Sequence, residues 1–156
     1  MRDLSLRLDD QLCFALYAAT NAVTRAYRPL LAHLGLTYPQ YLVMLVLWQD
    51  GARPVGRIAA RLKLGPSAIV PLVDQLQRAG FVRRRKDQDD RRMIFVEPTA
   101  AGLELEGMAA MAQETVACRT GLSAAHLDAL RDELTALADR IAASSQTQEL
   151  ATDAVS

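Results

Sequence analysis

The chain has 156 residues, of which 51% are hydrophobic, and its 18 basic residues equal its 18 acidic residues in number. This length fits one domain, or a small domain with an added helical body, and the apolar content is enough for a sizeable core. No apolar run reaches the roughly 18–20 residues that span a membrane, and two widely spaced cysteines cannot by themselves form a zinc site, so we expect a cytoplasmic protein with no membrane partner, no metal and no cofactor.

The first predicted element is a long helix from Asp9 to about Leu34, because its apolar residues recur at helical spacing. Asp9 or Asp10 can cap its start. Pro29 should kink this helix or mark its last turns, and Gly35 should end it.

A second helix follows, with Thr37 as its cap and Pro39 in its first turn, where a missing N–H costs little. The run Tyr41 to Trp48 is apolar on nearly all sides, which predicts burial. Gly51 should end this helix, and Arg53 to Val55 can add a short strand to the hairpin described next.

Two short helices and a charged hairpin form the centre of the chain. We predict helices at Val55 to Leu62 and Ser67 to Ala79, then strands at Phe81 to Arg85 and Arg92 to Glu97 around a tip at Lys86 to Arg91. This order is typical of a winged helix-turn-helix, in which the second helix enters the major groove and the hairpin tip reaches the DNA backbone or minor groove.

The two faces of the helix pair follow from helical spacing. The residues expected to face inward are Ile58, Ala59, Leu62, Ile69, Leu72, Val73 and Leu76. The second helix should turn outward Ser67, Ala68, Val70, Pro71, Asp74, Gln75 and Arg78. Ser67, Gln75 and Arg78 can hydrogen-bond to bases, and Ala68 and Val70 can touch thymine methyls. Because this face has few base-reading groups, we expect specificity to depend also on DNA shape.

The charge distribution favours DNA binding by this region. Eleven basic and four acidic residues lie between Arg53 and Arg92, a local charge of +7, so the rest of the balanced chain carries −7. Such segregation is typical of a DNA-reading face on an acidic body. The alternative is a solvated hairpin whose charges pair with one another.

The C-terminal third predicts two more helices. Thr99 should cap a helix to about Arg119, and Ser123, after a break at Gly121, should cap a last helix that frays from about Ser144. The first of these helices has apolar residues at helical spacing, namely Leu105, Met108, Ala112 and Val116. The last helix has a 3-4-3-4 apolar seam, typical of packing against another helix, at Leu127, Leu130, Leu134, Leu137 and Ile141.

These elements predict a mainly α fold with a small antiparallel β wing. We assign residues 37–98 to a winged helix-turn-helix DNA-binding domain, residues 1–36 and 99–145 to a helical dimerisation region, and residues 146–156 to a flexible tail. A homodimer would cover the apolar faces of the terminal helices and supply two reading heads.

Cys13 lies in the first turn of the first helix, where the helix dipole favours a thiolate, although two aspartates just upstream oppose that effect. Tyr17 shares its face one turn further along and is predicted to hydrogen-bond to the thiol. Tyr27 is near the same face but about 21 Å away along the axis. Two antiparallel copies of the helix would bring Tyr27, together with Tyr38, to the Cys13 of the other subunit. The alternative is that Cys13 is a small core residue and the tyrosines only pack helices together.

The arrangement resembles the MarR family of dimeric winged-helix regulators over about residues 8 to 142. Three blocks further resemble its two-cysteine, OhrR-type organic hydroperoxide sensors: Leu12 to Ala18, Tyr27 to Leu31 and Leu36 to Leu42. The resemblance implies that Cys13 is the peroxide-reactive thiol and that Tyr27 and Tyr38 hydrogen-bond to it. It also implies that Cys118 forms a disulfide with an oxidised Cys13 of the other subunit.

The resemblance extends to the hairpin tip, where Asp90 and Arg92 match the family's wing pair, with Arg92 entering the minor groove and Asp90 holding it. The second helix departs from the sensors at Pro66 to Val70 and at Asp74, while Pro71 is retained. The residues that we expect to contact DNA are Ser67, Ala68, Val70, Gln75, Arg78, Arg84, Arg85, Lys86, Asp90, Arg91 and Arg92.

The sequence thus predicts a repressor that is not an enzyme. A reduced homodimer would bind double-stranded operator DNA, and an organic hydroperoxide would release it by oxidising Cys13, with a disulfide to Cys118. Three alternatives are open: a MarR-type repressor relieved by a small aromatic ligand, a thiol peroxidase that uses Cys13, and a helical adaptor with a basic hairpin.

Overall fold

The computed structural model describes residues 6–153, with side chains described for residues 6–145. The chain divides into two compact units, residues 1–116 and 117–156. The elements in chain order are α1 (Leu12–Ala32), α2 (Tyr38–Asp50), β1 (Arg53–Pro54), α3 (Val55–Arg61), α4 (Pro66–Arg78), β2 (Val82–Lys86), β3 (Ile94–Pro98), α5 (Ala100–Arg119) and α6 (Ala124–Asp153). The predicted fold class is confirmed. Over residues 6–153, no helix is both long and apolar enough to cross a membrane.

Helix α1 begins later than the sequence predicted. Asp9 and Asp10 belong to a separate 3-10 turn, which the backbone bonds of Asp10 and Gln11 close, and Gln11 is the N-cap with no side-chain capping bond. The prediction of an aspartate cap is therefore wrong. Pro29 lies in the last turns of α1, as predicted, and Gly35 follows with the left-handed φ of +71° that glycine adopts most easily.

Helix α2 starts with the predicted cap and is the most buried helix of the first unit. Thr37 and Gln40 form a reciprocal capping box, because the Thr37 N–H donates to Gln40 Oε1 at 2.9 Å and the Gln40 N–H donates to Thr37 Oγ1 at 3.4 Å. The apolar run is buried or half-buried, as predicted, except at Leu45, which is exposed.

The helix pair and wing match the predicted order. The sheet order is β1-β3-β2, all antiparallel, so the short strand at Arg53 is confirmed as the third strand, opposite Val96. The residues predicted to face inward are buried or half-buried. Those predicted to face outward are exposed, except Asp74, which is half-buried because it pairs with a wing arginine described below.

A glycine allows α5 to pack against the base of the wing. Thr99 caps α5 as predicted, since its Oγ1 accepts from the Gly102 N–H at 3.2 Å and donates to the Gly80 carbonyl at 2.6 Å. The Gly102 carbonyl accepts from Trp48 Nε1 at 2.9 Å, and a Cβ on Gly102 would overlap the backbone carbonyl of Phe81. Only glycine fits this junction.

One core residue of α5 was predicted wrongly. Met108 is 49% exposed, and Ala109 is buried in its place. At about 100° per residue, the buried residues Leu105, Ala112 and Val116 centre on the direction of Leu105. Ala109 lies about 40° from that direction and Met108 about 60°, on the other side.

The second unit contains α6, whose start is the predicted one. Ser123 Oγ accepts from the His126 N–H at 3.3 Å, and Gly121 has a φ of +68°. The predicted seam is only half covered within the subunit, because Leu130, Leu134 and Ile141 are exposed.

The backbone of α6 is helical to Asp153, beyond the predicted fraying point at Ser144. The flexible tail predicted for 146–156 falls on residues whose side chains lie outside the described part of the chain. That tail and the predicted domain boundaries stay predictions.

Candidate functional site

Cys13 is an exposed residue of the first turn of α1. Its helical neighbours are uncovered too: Leu12 is 60% exposed, Tyr17 is 68% exposed, and Phe14 is also exposed. Cys13 is therefore not a core residue of the single subunit. An exposed thiol near a helix N-terminus is open to oxidants.

Four aromatic rings pack together where α1 meets α2. The Tyr27 ring centroid is 5.5 Å from that of Tyr38 and 5.3 Å from that of Tyr41, and Trp48 lies 6.4 Å from Tyr41. The sequence predicted roles for Tyr27 and Tyr38 but treated Tyr41 and Trp48 only as buried apolar residues. Their positions three and ten residues after Tyr38 on one helix were the available signal.

The Tyr38 and Tyr41 phenols of this cluster are held in their protonated form. Burial raises the pKa of Tyr41, and the nearby Tyr27 raises it further through its charge and a hydrogen bond. Burial also raises the pKa of Tyr38, with a smaller contribution from Tyr27. At neutral pH these hydroxyls are hydrogen-bond donors, which is the form that can stabilise a thiolate.

One subunit does not bring the thiol and the phenols together. Cys13 and Tyr27 lie on the same continuous helix, about 21 Å apart along its axis. Tyr38 instead borders a cleft of about 410 Å³ between α1 and the start of α2, lined also by Thr24, Arg28, Ala32, Leu36, Thr37 and Pro39. The predicted bond between Cys13 and the tyrosines, including Tyr17, stays a prediction about a dimer.

Cys118 lies one residue before the end of α5 and is exposed. Its backbone carbonyl accepts from the Gly121 N–H at 3.2 Å, in the turn that ends the helix. The thiol is thus accessible to a second molecule, and its pairing with Cys13 stays a prediction.

The predicted reading helix, α4, presents its first turn to solvent. Ser67, Ala68 and Val70 are exposed there, as is Arg78 at the other end. The side-chain oxygen of Gln75, however, accepts from Gln40 Nε2 at 2.9 Å. Gln75, which we expected to hydrogen-bond to a base, therefore joins α4 to α2 through its side-chain oxygen.

Two of the wing arginines share one carboxylate. Arg83 Nε donates to Glu97 Oε1 at 2.7 Å, and Arg85 Nε donates to Glu97 Oε2 at 3.2 Å. The hydrogen bond from Arg83, supported by Arg85, lowers the pKa of the Glu97 carboxyl. Arg85 also lies over the Phe95 ring, 5.7 Å from its centroid. These contacts hold β2 against β3.

Arg84, the third arginine of β2, contacts the reading helix. One guanidinium nitrogen donates to Asp74 Oδ1 at 2.6 Å, and another donates to Gln77 Oε1 at 2.6 Å. Part of the positive charge predicted for DNA is thus engaged within the subunit. Sequence reasoning missed these partners because α4 and β2 become neighbours only in the fold.

The tip of the wing keeps its cations exposed. Lys86, Arg91 and Arg92 make no ion pair with any described residue. Asp90 Oδ1 accepts from the backbone N–H of Arg92 at 3.0 Å, and the Asp90 carbonyl accepts from the Met93 N–H at 2.9 Å. Asp90 therefore fixes the turn that carries Arg92, through the backbone rather than the guanidinium.

Comparison with known proteins identifies the family. Residues 36–94 match the MarR family model. The chain is 43% identical over 149 residues to the HTH-type transcriptional regulator TtmR of Methylorubrum extorquens (strain PA1), an alignment that covers 96% of this chain and 76% of TtmR. The chain belongs to the MarR family. As a member of this family of regulators, it is a transcriptional regulator and not an enzyme, so the thiol peroxidase alternative is wrong.

Two other MarR-type proteins are similar over most of their length. The organic hydroperoxide resistance transcriptional regulator of Bacillus subtilis (strain 168) is 34% identical over 101 residues, covering 65% of this chain and 69% of that protein. The structure of reduced AbfR bound to DNA has 26% identity and a TM-score of 0.72, covering 90% of this chain and 99% of AbfR. AbfR has also been solved in a disulfide form, with a TM-score of 0.61. MarR regulators bind DNA and act as dimers.

Proposed function

We propose that this MarR regulator is a thiol-based peroxide sensor. The reduced homodimer binds operator DNA in the cytoplasm as a repressor, and an organic hydroperoxide releases it by oxidising Cys13. The observation that carries the proposal is the exposure of Cys13 in the first turn of α1, on a helix face that no other part of the described subunit covers.

The chemistry proceeds in two balanced steps. The Cys13 thiolate attacks the terminal oxygen of the hydroperoxide, the O–O bond breaks, and the leaving alkoxide takes a proton to become an alcohol. Cys13 is then a sulfenic acid. The thiol of Cys118 in the partner subunit condenses with it, which forms a disulfide and releases water.

The tyrosine cluster supports the first step. Burial raises the pKa of Tyr38, so its hydroxyl is a hydrogen-bond donor at neutral pH, and Tyr38 borders the cleft directly. Tyr27 packs against Tyr38, with 5.5 Å between the ring centroids. In an antiparallel pairing of α1 helices, the Cys13 of one subunit approaches this cleft in the other. The phenols then hydrogen-bond to the thiolate and orient the peroxide, while Tyr17 shields the helix face that carries Cys13.

The second step is the switch. A disulfide needs Cα atoms within about 7 Å of each other, so a pair of cysteines that starts farther apart must be brought together by a shift of α1. Because the terminal helices set the spacing of the two reading heads, that shift misaligns them with successive major grooves. A reducing cytosol then restores the repressor.

Two similar proteins support this mechanism, one through its described role and the other through the states in which it has been solved. One is an organic hydroperoxide resistance regulator, and the other has been solved both reduced on DNA and in a disulfide form. The rival function is relief by a small aromatic ligand, which needs no cysteine.

Peroxide treatment of matched variants separates these functions. A duplex selected from a random pool by the reduced protein serves as the DNA probe, and each sample is run on a gel shift and a non-reducing gel after cumene hydroperoxide. We expect release and a cross-linked dimer for the wild type, no cross-link for Cys118→Ser, and neither release nor cross-link for Cys13→Ser. Release of Cys13→Ser by peroxide would contradict the proposal, and equal release of both proteins by benzoate would favour the ligand.

A further inference from the structure

We propose that Arg84 is a positioning residue rather than a DNA phosphate contact. With Asp74 and Gln77 it forms a brace that fixes the wing to the reading helix and raises the preference for operator over other DNA. This inference depends on DNA binding by the family and not on peroxide sensing.

In the brace, the planar guanidinium group of Arg84 donates to two side-chain acceptors on α4. Asp74 and Gln77 are three residues apart on α4, so both side chains leave the same face of the helix. Two guanidinium nitrogens of Arg84 reach them at 2.6 Å each. A lysine has no rigid fork and cannot satisfy both acceptors in this way.

The brace is partly shielded from solvent. The Arg84 side chain is 29% exposed and the Asp74 side chain is 43% exposed, whereas Arg83 on the same strand is 69% exposed. Arg84 also sits mid-strand, opposite the fully buried Val96. The pair is therefore anchored at both ends, in a regular strand and a regular helix, unlike most surface ion pairs.

The position of the brace links two parts of the reading unit. On one side of α4, Gln75 bonds to Gln40 and fixes the helix to α2. The brace fixes α4 to β2, so that α2, α4 and the wing are joined by side-chain bonds. The wing tip carries Arg91 and Arg92 toward DNA, and its angle to α4 decides whether tip and helix can engage one duplex together.

The brace also changes the charge that DNA meets. Non-specific affinity depends on the number of phosphates that cations neutralise. Because the Arg84 guanidinium is paired with Asp74, it does not neutralise a phosphate. The Asp74 carboxylate also repels a nearby phosphate. A fixed wing raises the affinity for the operator, whereas the loss of a free cation lowers the affinity for other DNA. Both effects raise the ratio of specific to non-specific affinity.

The test compares Arg84→Ala with Arg92→Ala in the fully reduced protein. Dissociation constants are measured over a range of salt concentrations, for the selected duplex and for a scrambled duplex of equal length. For Arg84→Ala we expect five- to tenfold weaker operator binding, the size of effect expected from the net contribution of about one hydrogen bond, and an unchanged salt slope on scrambled DNA. Arg92→Ala should lower that slope by about one.

Asp74→Asn supplies the second arm and keeps the shape of the side chain. We expect it to strengthen binding to scrambled DNA and to steepen the salt slope by up to about one, because Arg84 becomes available to phosphates. Most of this steepening should disappear in the double variant Asp74→Asn/Arg84→Ala. Melting curves establish that each variant is folded, and Arg84→Lys, which should also lose operator affinity, replaces Arg84→Ala if that variant unfolds.

Two results would overturn the brace. One is a lower salt slope for Arg84→Ala on scrambled DNA, equal to that of Arg92→Ala, which would make Arg84 a phosphate contact. The other is an Asp74→Asn protein whose affinities for both duplexes match those of the wild type.

Discussion

The winged helix-turn-helix, or reading region, and the start of α1 around Cys13, which we propose as the sensing region, differ in how many of their contacts lie within one subunit. In the reading region, Arg83, Arg84 and Arg85 all find acceptors within the same chain, and the helix pair is packed on a buried core. In the sensing region, Cys13 and the apolar residues around it are uncovered. The reading region makes its contacts within one folded subunit, and we propose that a second subunit completes the region around Cys13.

The largest effect should come from placing a charge on the open seam of α6. Leu134 is 42% exposed in the subunit, and we expect it to be buried in the dimer. Leu134→Glu would put an unpaired charge in that interface, and the dimer dissociation constant should rise by about a hundredfold or more. Sedimentation velocity measures this change. Glu133→Ala, beside it, is the control, and a Leu134→Glu protein as dimeric as the control would show that the seam is not the interface.

A smaller effect should follow from a methyl group at the junction of α5 with the wing. Gly102→Ala would force Cβ against the Phe81 carbonyl, and we expect a loss of about 1–3 kcal/mol in the free energy of unfolding. Gly107→Ala, in the same helix, meets no neighbour within 4 Å and should gain up to about 1 kcal/mol from helix propensity. Urea unfolding measures both. Equal responses of the two variants would mean that the packing at Gly102 is not as tight as described.

The exposed and the paired arginines of the wing should differ in DNA binding. Arg92 has no ion-pair partner among the described residues, so Arg92→Ala should weaken operator binding and lower the salt slope by about one. Arg83 is already paired with Glu97, and Arg83→Ala should leave the slope nearly unchanged. Fluorescence anisotropy at several salt concentrations measures both slopes, and the reverse order would contradict the assignment.

The smallest effect concerns pH and the carboxylate shared by Arg83 and Arg85. Because its arginine partners lower the pKa of Glu97 in the folded state, its contribution to stability is present above the ordinary glutamate pKa and is lost as pH falls through the lowered value. Unfolding measured from pH 6 to pH 3 should therefore lose less stability in Glu97→Gln than in the wild type. Identical pH profiles would show that the shared pair contributes nothing.

Much of the fold could be predicted from sequence because it is set by local rules. The period of the apolar residues placed both helices of the reading unit, and Thr37, Thr99 and Ser123 marked helix starts correctly. Local rules also explain the errors. Asp9 is a better N-cap than Gln11 by residue type, but it lies in the 3-10 turn that precedes α1. The error at Met108 came from a rotation of α5 about its axis by less than the roughly 100° that separates successive residues.

The candidate site was less predictable because it depends on contacts distant in sequence. The charge count found a basic region, but it could not tell that Arg84 is bound by Asp74 whereas Arg92 is exposed. The tyrosines could be named from their pattern, yet the ring contacts of Tyr41 follow from the packing of α1 on α2. The apolar seam of α6 indicates which face a partner helix would cover. It does not indicate how far along the seam that partner helix would lie.

The most direct test of the sensing mechanism asks which subunits contribute the two sulfurs. Unlabelled and ¹⁵N-labelled protein are unfolded together, refolded as mixed dimers, oxidised with cumene hydroperoxide and digested without reduction. We expect disulfide-linked peptides that join Cys13 of one label to Cys118 of the other, appearing at the rate at which DNA is released. Linked peptides of a single label only, or release of DNA before any linked peptide forms, would contradict the sensing mechanism.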